Sequence, residues 1–471
     1  MSNSQTNLRR KYDLLVVGGG NAALCAAITA KRERPSASVI LLESSPKDVR
    51  GGNSRHTRNI RYIHPAKNSF LTGPYTEDEC YQDLLGVTKG NTIEKMARLV
   101  IRESNNVGDW MMEQGVRFQP AMKGTLHLSR TNGFFLGGGK ALINAYYATA
   151  EKLGVEILYE AEALDLEIVN DEFKSCTVKM EGETFRIEAN AVVLASGGYQ
   201  ANTEWLKNSW GPQAANFLVR GTPYDKGRML KVMMDHGCKT LGDPTQGHMV
   251  AIDGRAPKFD GGICTRLDCV PFGVAVNKDC KRFYNEGEEI WPKRYAIWGR
   301  LVAGQPDQVA YIVIDSKAIN LFMPSVFPPF EANSIEDLAG ELGIDPAGLK
   351  ATVDEFNAHC PSDTSKFNSG DKDGVATVEG LEPPKTNWAR PIDTPPFYGY
   401  MLRPGITFSY LSLALNERMQ VEKEDGGVFK NIFAAGEITS GNVLGQGYMA
   451  GFGMTIGTVF GRRAGKEAMN V

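Results

Sequence analysis

Gly18-Gly19-Gly20-Asn21-Ala22-Ala23 follows the β-branched run Asp13 to Val17 and precedes an alanine-rich stretch that reads as a helix to about Arg34. Glycines at such a turn permit a tight bend and let a pyrophosphate approach the backbone, where the partial positive charge of a helix N-terminus attracts it. Gly18, Gly20, Asn21 and Ala22 are therefore the candidate phosphate cradle. Glu43, with Ser44 behind it, ends a second buried run, Val39 to Leu42, and stands where a carboxylate would accept from a ribose hydroxyl pair. The glycine string alone is weak evidence; strand, turn, helix, second strand and acid together read as a dinucleotide site. Gly137-Gly138-Gly139-Lys140 is a poorer phosphate loop, because Gly133 lies one residue too far upstream and Ala141 replaces the magnesium-binding Ser or Thr. A loop and helix start is the better reading there.

Arg50, Arg55, Arg58 and Arg61 crowd one short run, with His56 among them. Guanidinium groups grip carboxylates bidentately, so this run, with Arg220 and Arg266, suits an anionic substrate, whereas a sterol would want an apolar slot. His56 is either an anion ligand or a packed surface group, since histidine serves both roles.

These residues need a frame larger than one core. A chain of 471 residues, 42% hydrophobic and 23% charged, has ordinary globular composition and the length of two domains. Its formal charge of -3 gives no general attraction to nucleic acid or membrane. Eight cysteines without a C-x-x-C pair write neither a zinc ribbon nor an iron–sulfur site, and suggest reduced thiols in a cytoplasmic protein. The segment before Tyr12 is polar, ends in Arg9, Arg10 and Lys11, and lacks the apolar stretch of a secretory leader.

Along the chain, a βαβ unit opens the sequence. A helix is expected over Lys140 to Lys152, then a strand from Val155 to Tyr159, a meander through Leu166, Val178 and Phe185, and a buried strand from Ala191 to Ala195. From about His248 to Thr407 the texture turns Pro-, Gly- and aromatic-rich, with helices expected at Ser334 to Leu342 and Asp345 to His359. The buried pattern resumes by Phe433. The expected fold is α/β: a discontinuous Rossmann-like domain of residues 1–247 and 408–471, interrupted by an α+β capping domain over 248–407.

Ala195-Ser196-Gly197-Gly198-Tyr199 after a strand, Ala435-Gly436-Glu437 before the glycine-rich 441–457 segment, and Gly51-Gly52-Asn53-Ser54 together resemble the flavoprotein family of fumarate reductase and succinate dehydrogenase, which includes the ketosteroid dehydrogenases. The resemblance covers nearly the whole chain and implies FAD, with substrate held between cap and isoalloxazine. It assigns Ala195, Ser196, Gly197, Glu437, Gly51, Gly52, Asn53 and Ser54 to the cofactor. Gly453, Met454 and Thr455 open the last helix, where backbone N–H groups would face the reduced flavin. Within the family, Arg50 to Asn59, Arg282-Phe283-Tyr284 and Trp291-Pro292-Lys293-Arg294-Tyr295 look like the tricarballylate-oxidising branch, which implies oxidation to cis-aconitate.

Departures from the family matter. Asn53 stands where covalently flavinylated members carry His, so FAD is expected without a covalent bond. Tyr448 aligns with a carboxylate-binding Arg of soluble fumarate reductases, and Thr407-Phe408-Ser409-Tyr410 replaces another substrate-binding segment, which disfavours fumarate itself. His248 matches a substrate-binding His. By the resemblance Arg294 is the proton shuttle, the alternative being a cap-surface arginine in a salt bridge; Arg266 and His248 complete the catalytic candidates, and Arg55, His56, Arg58, Arg220 and Tyr448 the substrate-binding ones. Competing readings are a fumarate reductase-like, steroid or cobalamin-precursor flavoenzyme, and a flavoprotein scaffold without chemistry. With no cysteine cluster to relay electrons, a separate acceptor is expected, a membrane-associated redox protein among the candidates.

Overall fold

The computed structural model describes residues 11–121, 128–261 and 264–471. The polar leader through Arg10, read above for its charge, lies outside the described residues.

The first apolar run becomes β1 (Tyr12–Val17), followed by helix α1 (Asn21–Glu33) and β2 (Val39–Leu42), with β1 and β2 parallel and in register Leu14 to Val39. Both strands are buried on both faces, which is why they read as unbroken hydrophobic runs and not as alternating ones. Helix α2 (Gly138–Lys152) leads to β3 (Glu156–Leu158), parallel to β2. The meander is β4 (Glu162–Val169), β5 (Glu172–Met180) and β6 (Glu183–Leu194), antiparallel in sequence. The strand expected at Ala191 to Ala195 is the end of this longer β6. Its first half alternates exposed and buried residues beside β5, while Ala191 to Leu194 are wholly buried beside β1. One strand thus serves two environments, and the sequence pattern changes midway for that reason.

The Pro- and aromatic-rich region holds a second sheet of β7 (Gly247–Asp253), β8 (Val274–Asn277), β9 (Ala310–Asp315) and β10 (Phe397–Ser409). Its order is β7-β10-β9-β8, antiparallel throughout, and the short strands Leu218–Val219 and Phe330–Ala332 also pair with β10. The one-turn helix α3 (Trp291–Arg294) lies between β8 and β9 in sequence. Helix α4 (Ile335–Leu342) starts where Ser334 Oγ accepts from Asp337 N at 3.0 Å, and α5 (Pro346–Ala358) where Asp345 accepts from Ala347 N and Gly348 N. These are the helices expected at Ser334 to Leu342 and Asp345 to His359, shortened by their caps.

The chain then returns. β11 (Gln420–Glu422) and β12 (Val428–Ala434) complete the first sheet in the order β11-β12-β6-β1-β2-β3, β12 lying parallel to β6. Helix α6 (Phe452–Glu467) packs along α1. A Cβ at Gly461 would stand 2.4 Å from Ala22 O and one at Gly465 2.2 Å from Ala26 O, so the glycine spacing lets two helix backbones meet at a distance no side chain would permit. Among the described residues no helix is long and apolar enough to cross a membrane.

Candidate functional site

A cavity of about 500 Å³ opens at the C-terminal ends of β1, β2 and β6. Strand order reverses about β1, and ligands of open α/β sheets bind at such a switch point. Gly18, Gly19, Gly20, Asn21, Ala22, Glu43, Ser44, Gly52, Asn53, Ser54, Ala195, Ser196, Gly197, Glu437, Gly453 and Met454 all line it. Segments far apart in sequence are pinned together there. Asn21 N donates to Ser54 Oγ at 3.0 Å, and its side-chain amide donates to Met454 O and Thr458 Oγ1.

The features fit a dinucleotide. Gly20, which caps α1, offers no side chain to its N-terminus, so the helix's positive end faces the cavity. Glu43 is buried and accepts from Ser45 N at 2.9 Å and Gly51 N at 3.0 Å; burial pushes its carboxyl up, against those two N–H groups. Among the described residues, Ser196 Oγ has no partner, as expected of a group that faces a ligand.

At the other end, three guanidinium groups converge. Arg58, Arg220 and Arg266 line the cavity with His248, Tyr295, Thr407, Phe408 and Tyr448. Burial, then Arg266, pushes Arg58 and Arg220 down to about 10 each. Arg266 differs: Asp268 takes its Nε at 2.5 Å and its Nη2 at 2.6 Å, and Asp268 also accepts from Trp291 Nε1 at 2.7 Å. Burial opposes charge on both members, yet each outweighs it for the other, leaving the arginine above and the aspartate below its usual range. Arg266 also sits 4.6 Å from the Tyr295 ring centroid.

His248 is buried and stacked flat on Tyr448, centroids 3.9 Å apart, with Tyr295 edge-on at 5.5 Å. Among the described residues, neither ring nitrogen has a hydrogen-bond partner. Burial, Arg220 and Arg266 hold it well below the usual histidine range, so the ring is a neutral imidazole with a lone pair to spare. Tyr448, where an arginine was the family expectation, accepts from Gly453 N at 3.1 Å and joins His248 to the first turn of α6.

Not every expected residue reaches the cavity. Arg294 does not line it: the residue ends α3 turned toward Glu288, 2.5 Å from Nε, and Tyr284, 2.7 Å from Nη2, while its neighbours Trp291, Pro292 and Tyr295 form the wall. Arg294 is held in a salt bridge, the alternative reading for it. Arg55 is likewise off the wall, whereas its neighbours His56 and Arg58 are on it. His56 Nε2 lies 2.6 Å from the Asp260 carboxylate, which gives it a protein partner. Arg61 is structural, donating to Ala450 O and Tyr75 OH. Gly51 supports Glu43 from behind, and Thr455 Oγ1 donates to Arg61 O. Gly137 caps α2 in a left-handed turn, the loop and helix start expected of that glycine run.

Sequence reasoning missed Asp225 and Gln200, which have no motif of their own, and underrated Asp268 and Tyr295. The i, i+2 spacing of Arg266 and Asp268 on an extended segment was the available signal. Asn53 donates to Thr407 O at 2.8 Å and accepts from Thr222 N at 2.9 Å, so both ends of its amide are already engaged by the protein. A flavin is therefore expected to leave quantitatively with the supernatant on acid precipitation, and a yellow washed pellet would show a covalent bond instead.

A family model described as FAD binding domain matches residues 13–453. The chain is 24% identical over 98% of its length to an NADH:fumarate oxidoreductase of Klebsiella pneumoniae (strain 342), of which it spans 48%. It is 25% identical over 97% of its length to a probable fumarate reductase of Shewanella frigidimarina (strain NCIMB 400), of which it spans 74%. Among solved structures, the open conformation of a flavocytochrome c3 fumarate reductase superposes with a TM-score of 0.75 at 20% identity, over 99% of this chain and 79% of that one.

Proposed function

The chain belongs to the FAD binding domain family, and from that premise we propose that it is an FAD-dependent dehydrogenase acting on a carbon–carbon bond of a small polycarboxylate, with tricarballylate to cis-aconitate as the reaction. The observation that carries this reading is the convergence of Arg58, Arg220 and Arg266 on the cavity that the glycine turns also line. Three carboxylates call for several cations in one small volume, and a neutral ligand would leave their mutual repulsion unrelieved.

FAD, when bound, supplies the hydride acceptor. The chain's own groups do the rest. Arg266, locked in its charged form by Asp268, is a fixed anion grip and a poor base. Arg58 and Arg220 hold further carboxylates, and drawing charge off a carboxylate acidifies the adjacent C–H. His248 is the group we assign to receive that proton. An imidazolium beside Arg220 and Arg266 is unfavourable in the empty cavity, but a polyanion between them supplies the missing negative charge and raises the histidine's proton affinity as it binds. The stacked Tyr448 and the edge-on Tyr295 fix the ring and keep water from it. Arg294, off the cavity wall, is assigned no proton transfer. The residues between 248 and 407 are taken as the cap, and electrons then pass to a separate acceptor.

The test is anaerobic mixing of the FAD-loaded protein with a panel of carboxylates. Tricarballylate is expected to bleach the flavin, and His248→Gln to retain FAD and the ligand-induced spectral shift while bleaching slows by about 100-fold or more, the usual scale for loss of a general base. Bleaching only by steroids, or by no donor, would sink the assignment. A second reading, reduction of an unsaturated acid, is favoured by the two relatives named for fumarate; the same cuvette tests it, since an acid that reoxidises the reduced protein and is not itself formed from tricarballylate would select it.

A further inference from the structure

We propose that Asp225 and Glu437 hold one proton between them beside the cofactor, so that a neutral carboxyl group, and not a second carboxylate, faces bound FAD. Both side chains are buried and both line the cavity. Gln200, itself fully buried, donates one amide Nε2 to both of them, to Asp225 Oδ2 at 2.8 Å and Glu437 Oε2 at 3.3 Å. Two acids that share one small amide are close neighbours, and like charges at such separation in a dry site cannot both ionise cheaply.

No cation offsets them. Among the described residues, neither carboxylate has a Lys, Arg or His within ion-pair distance; Lys226 and Arg228, which follow Asp225 in sequence, are exposed. The ionisable groups that face the pair are Glu43, which adds a like charge to Asp225, and the phenols of Tyr199, Tyr410 and Tyr448 around Glu437. Glu437 Oε1 is served by Ser409 N at 2.8 Å and Ser409 Oγ at 3.3 Å, hydrogen bonds that oppose protonation without supplying charge.

A second observation shows where a hydrogen is missing. Gln200 Oε1 is buried and has no donor. It converges with Glu437 Oε1 and Ser409 Oγ over Gly198, where a Cβ would stand 2.6, 2.3 and 2.2 Å from the three oxygens respectively. Ser409 brings one hydroxyl proton to this group of acceptors. A proton on the glutamic acid provides the hydrogen that the amide oxygen lacks, or donates to an acceptor on the ligand in the same cavity. Gly197 and Gly198 keep this space open: a Cβ at Gly197 would meet Asp225 Oδ1 at 2.7 Å.

Burial pushes Glu437 up to about 8, against its hydrogen bonds from Ser409 and Gln200, and burial aided by the charges of Glu437 and Glu43 pushes Asp225 well above the usual carboxylate range. For a carboxyl raised in the loaded state the sign is fixed: the favourable contribution is present while the proton is held, at lower pH, and is lost as pH rises through the raised value. Loss of that proton puts a second negative charge beside an anionic cofactor, so above about pH 8, where the pair ionises without the cofactor, FAD release is accompanied by release of one proton.

The experiment measures FAD affinity by fluorescence during reconstitution of the full chain between about pH 6 and about pH 9.5, with the infrared carbonyl stretch of protonated carboxyl groups followed in the holoprotein. Above about pH 8 the parent's affinity is expected to fall about tenfold per pH unit, one proton being linked to one ligand. Glu437→Gln supplies an N–H that does not titrate, so its affinity is expected to vary at least tenfold less over the same range, and the flavin's own titration cancels in the comparison. Parallel profiles for parent and variant would overturn the proposal. Should the variant not fold, a parent spectrum without a protonated-carboxyl band that disappears as pH rises would overturn it equally. Neither readout depends on the substrate.

Discussion

Arg266→Ala is expected to be both the least active and one of the least stable single variants of the cavity. The arginine and Asp268 are each about 6% exposed and bound through two N–H groups, so truncating one leaves a buried carboxylate whose remaining partner is the Trp291 indole. Breaking such a pair costs about 3–5 kcal/mol, more than a surface pair by several-fold. The pH dependence of that loss has a definite sign. In the parent the paired carboxyl is held below its usual range, and its stabilisation is present above that range and lost in acid. In the variant the unpaired carboxyl is raised by burial, so the deficit relative to the parent is greatest at neutral pH and narrows on acidification. Denaturant unfolding at two pH values reads this directly, and Arg266→Ala combined with Asp268→Asn is expected to recover part of the loss. Substrate-driven bleaching should fall by about 2–5 kcal/mol of transition-state stabilisation, roughly thirtyfold to several thousandfold. A variant with parent-like stability at neutral pH would mean that the pair is solvated and the cavity wetter than its burial indicates.

Gly18→Ala is expected to yield protein without flavin, mostly insoluble. Gly18 has φ +116°, where a side chain is strained, and its Cβ would stand 2.2 Å from Ala195 O. That oxygen belongs to backbone continuing the central strand β6, so it cannot swing aside as a side-chain tip could. Gly18 N also donates to Leu42 O at 2.8 Å, which ties the turn to β2 as well. Displacing the turn therefore disturbs the ends of three strands and the N-terminus of α1 at once. Soluble, fully yellow Gly18→Ala protein would show that the turn relaxes without moving Ala195.

Much of the cofactor end was legible in the residues because its requirements are local. A turn with positive φ needs glycine, a doubly buried strand needs a hydrophobic run, and an acid at a strand end marks a ribose; Gly18, β1, β2 and Glu43 carry these signals within one short stretch. The other end was partly legible. Arg58, Arg220, Arg266, His248 and Tyr448 do meet, but Arg55 and Arg294 belonged to the same runs and are off the wall. Side chains one position apart on a short helix point in different directions, so the run Trp291 to Tyr295 specifies chemistry without saying which residue faces inward. Asp225 and Gln200 were illegible because their significance lies in each other and in Glu437, a relation that only the fold creates. The Pro- and aromatic-rich region was expected to be α+β, but its strands were not placed individually, because β10 is buried irregularly and its pattern does not alternate cleanly.

The close seat of α6 on α1 also fixes an order of events during synthesis. Helix α1 is translated well before α6, so the faces of Ala22 and Ala26 that meet Gly461 and Gly465 stay open until α6 is made, and β6 lacks its neighbour β12 until the intervening sheet has been translated. The βαβ unit must therefore wait with apolar surface open while the intervening strands, which pair largely among themselves, can fold ahead of it. Closing that long gap costs chain entropy that grows only slowly with its length. A nascent chain that stalls before Phe452 consequently exposes an unfinished nucleotide fold to chaperones and proteases, and flavin capture becomes a late checkpoint of biogenesis.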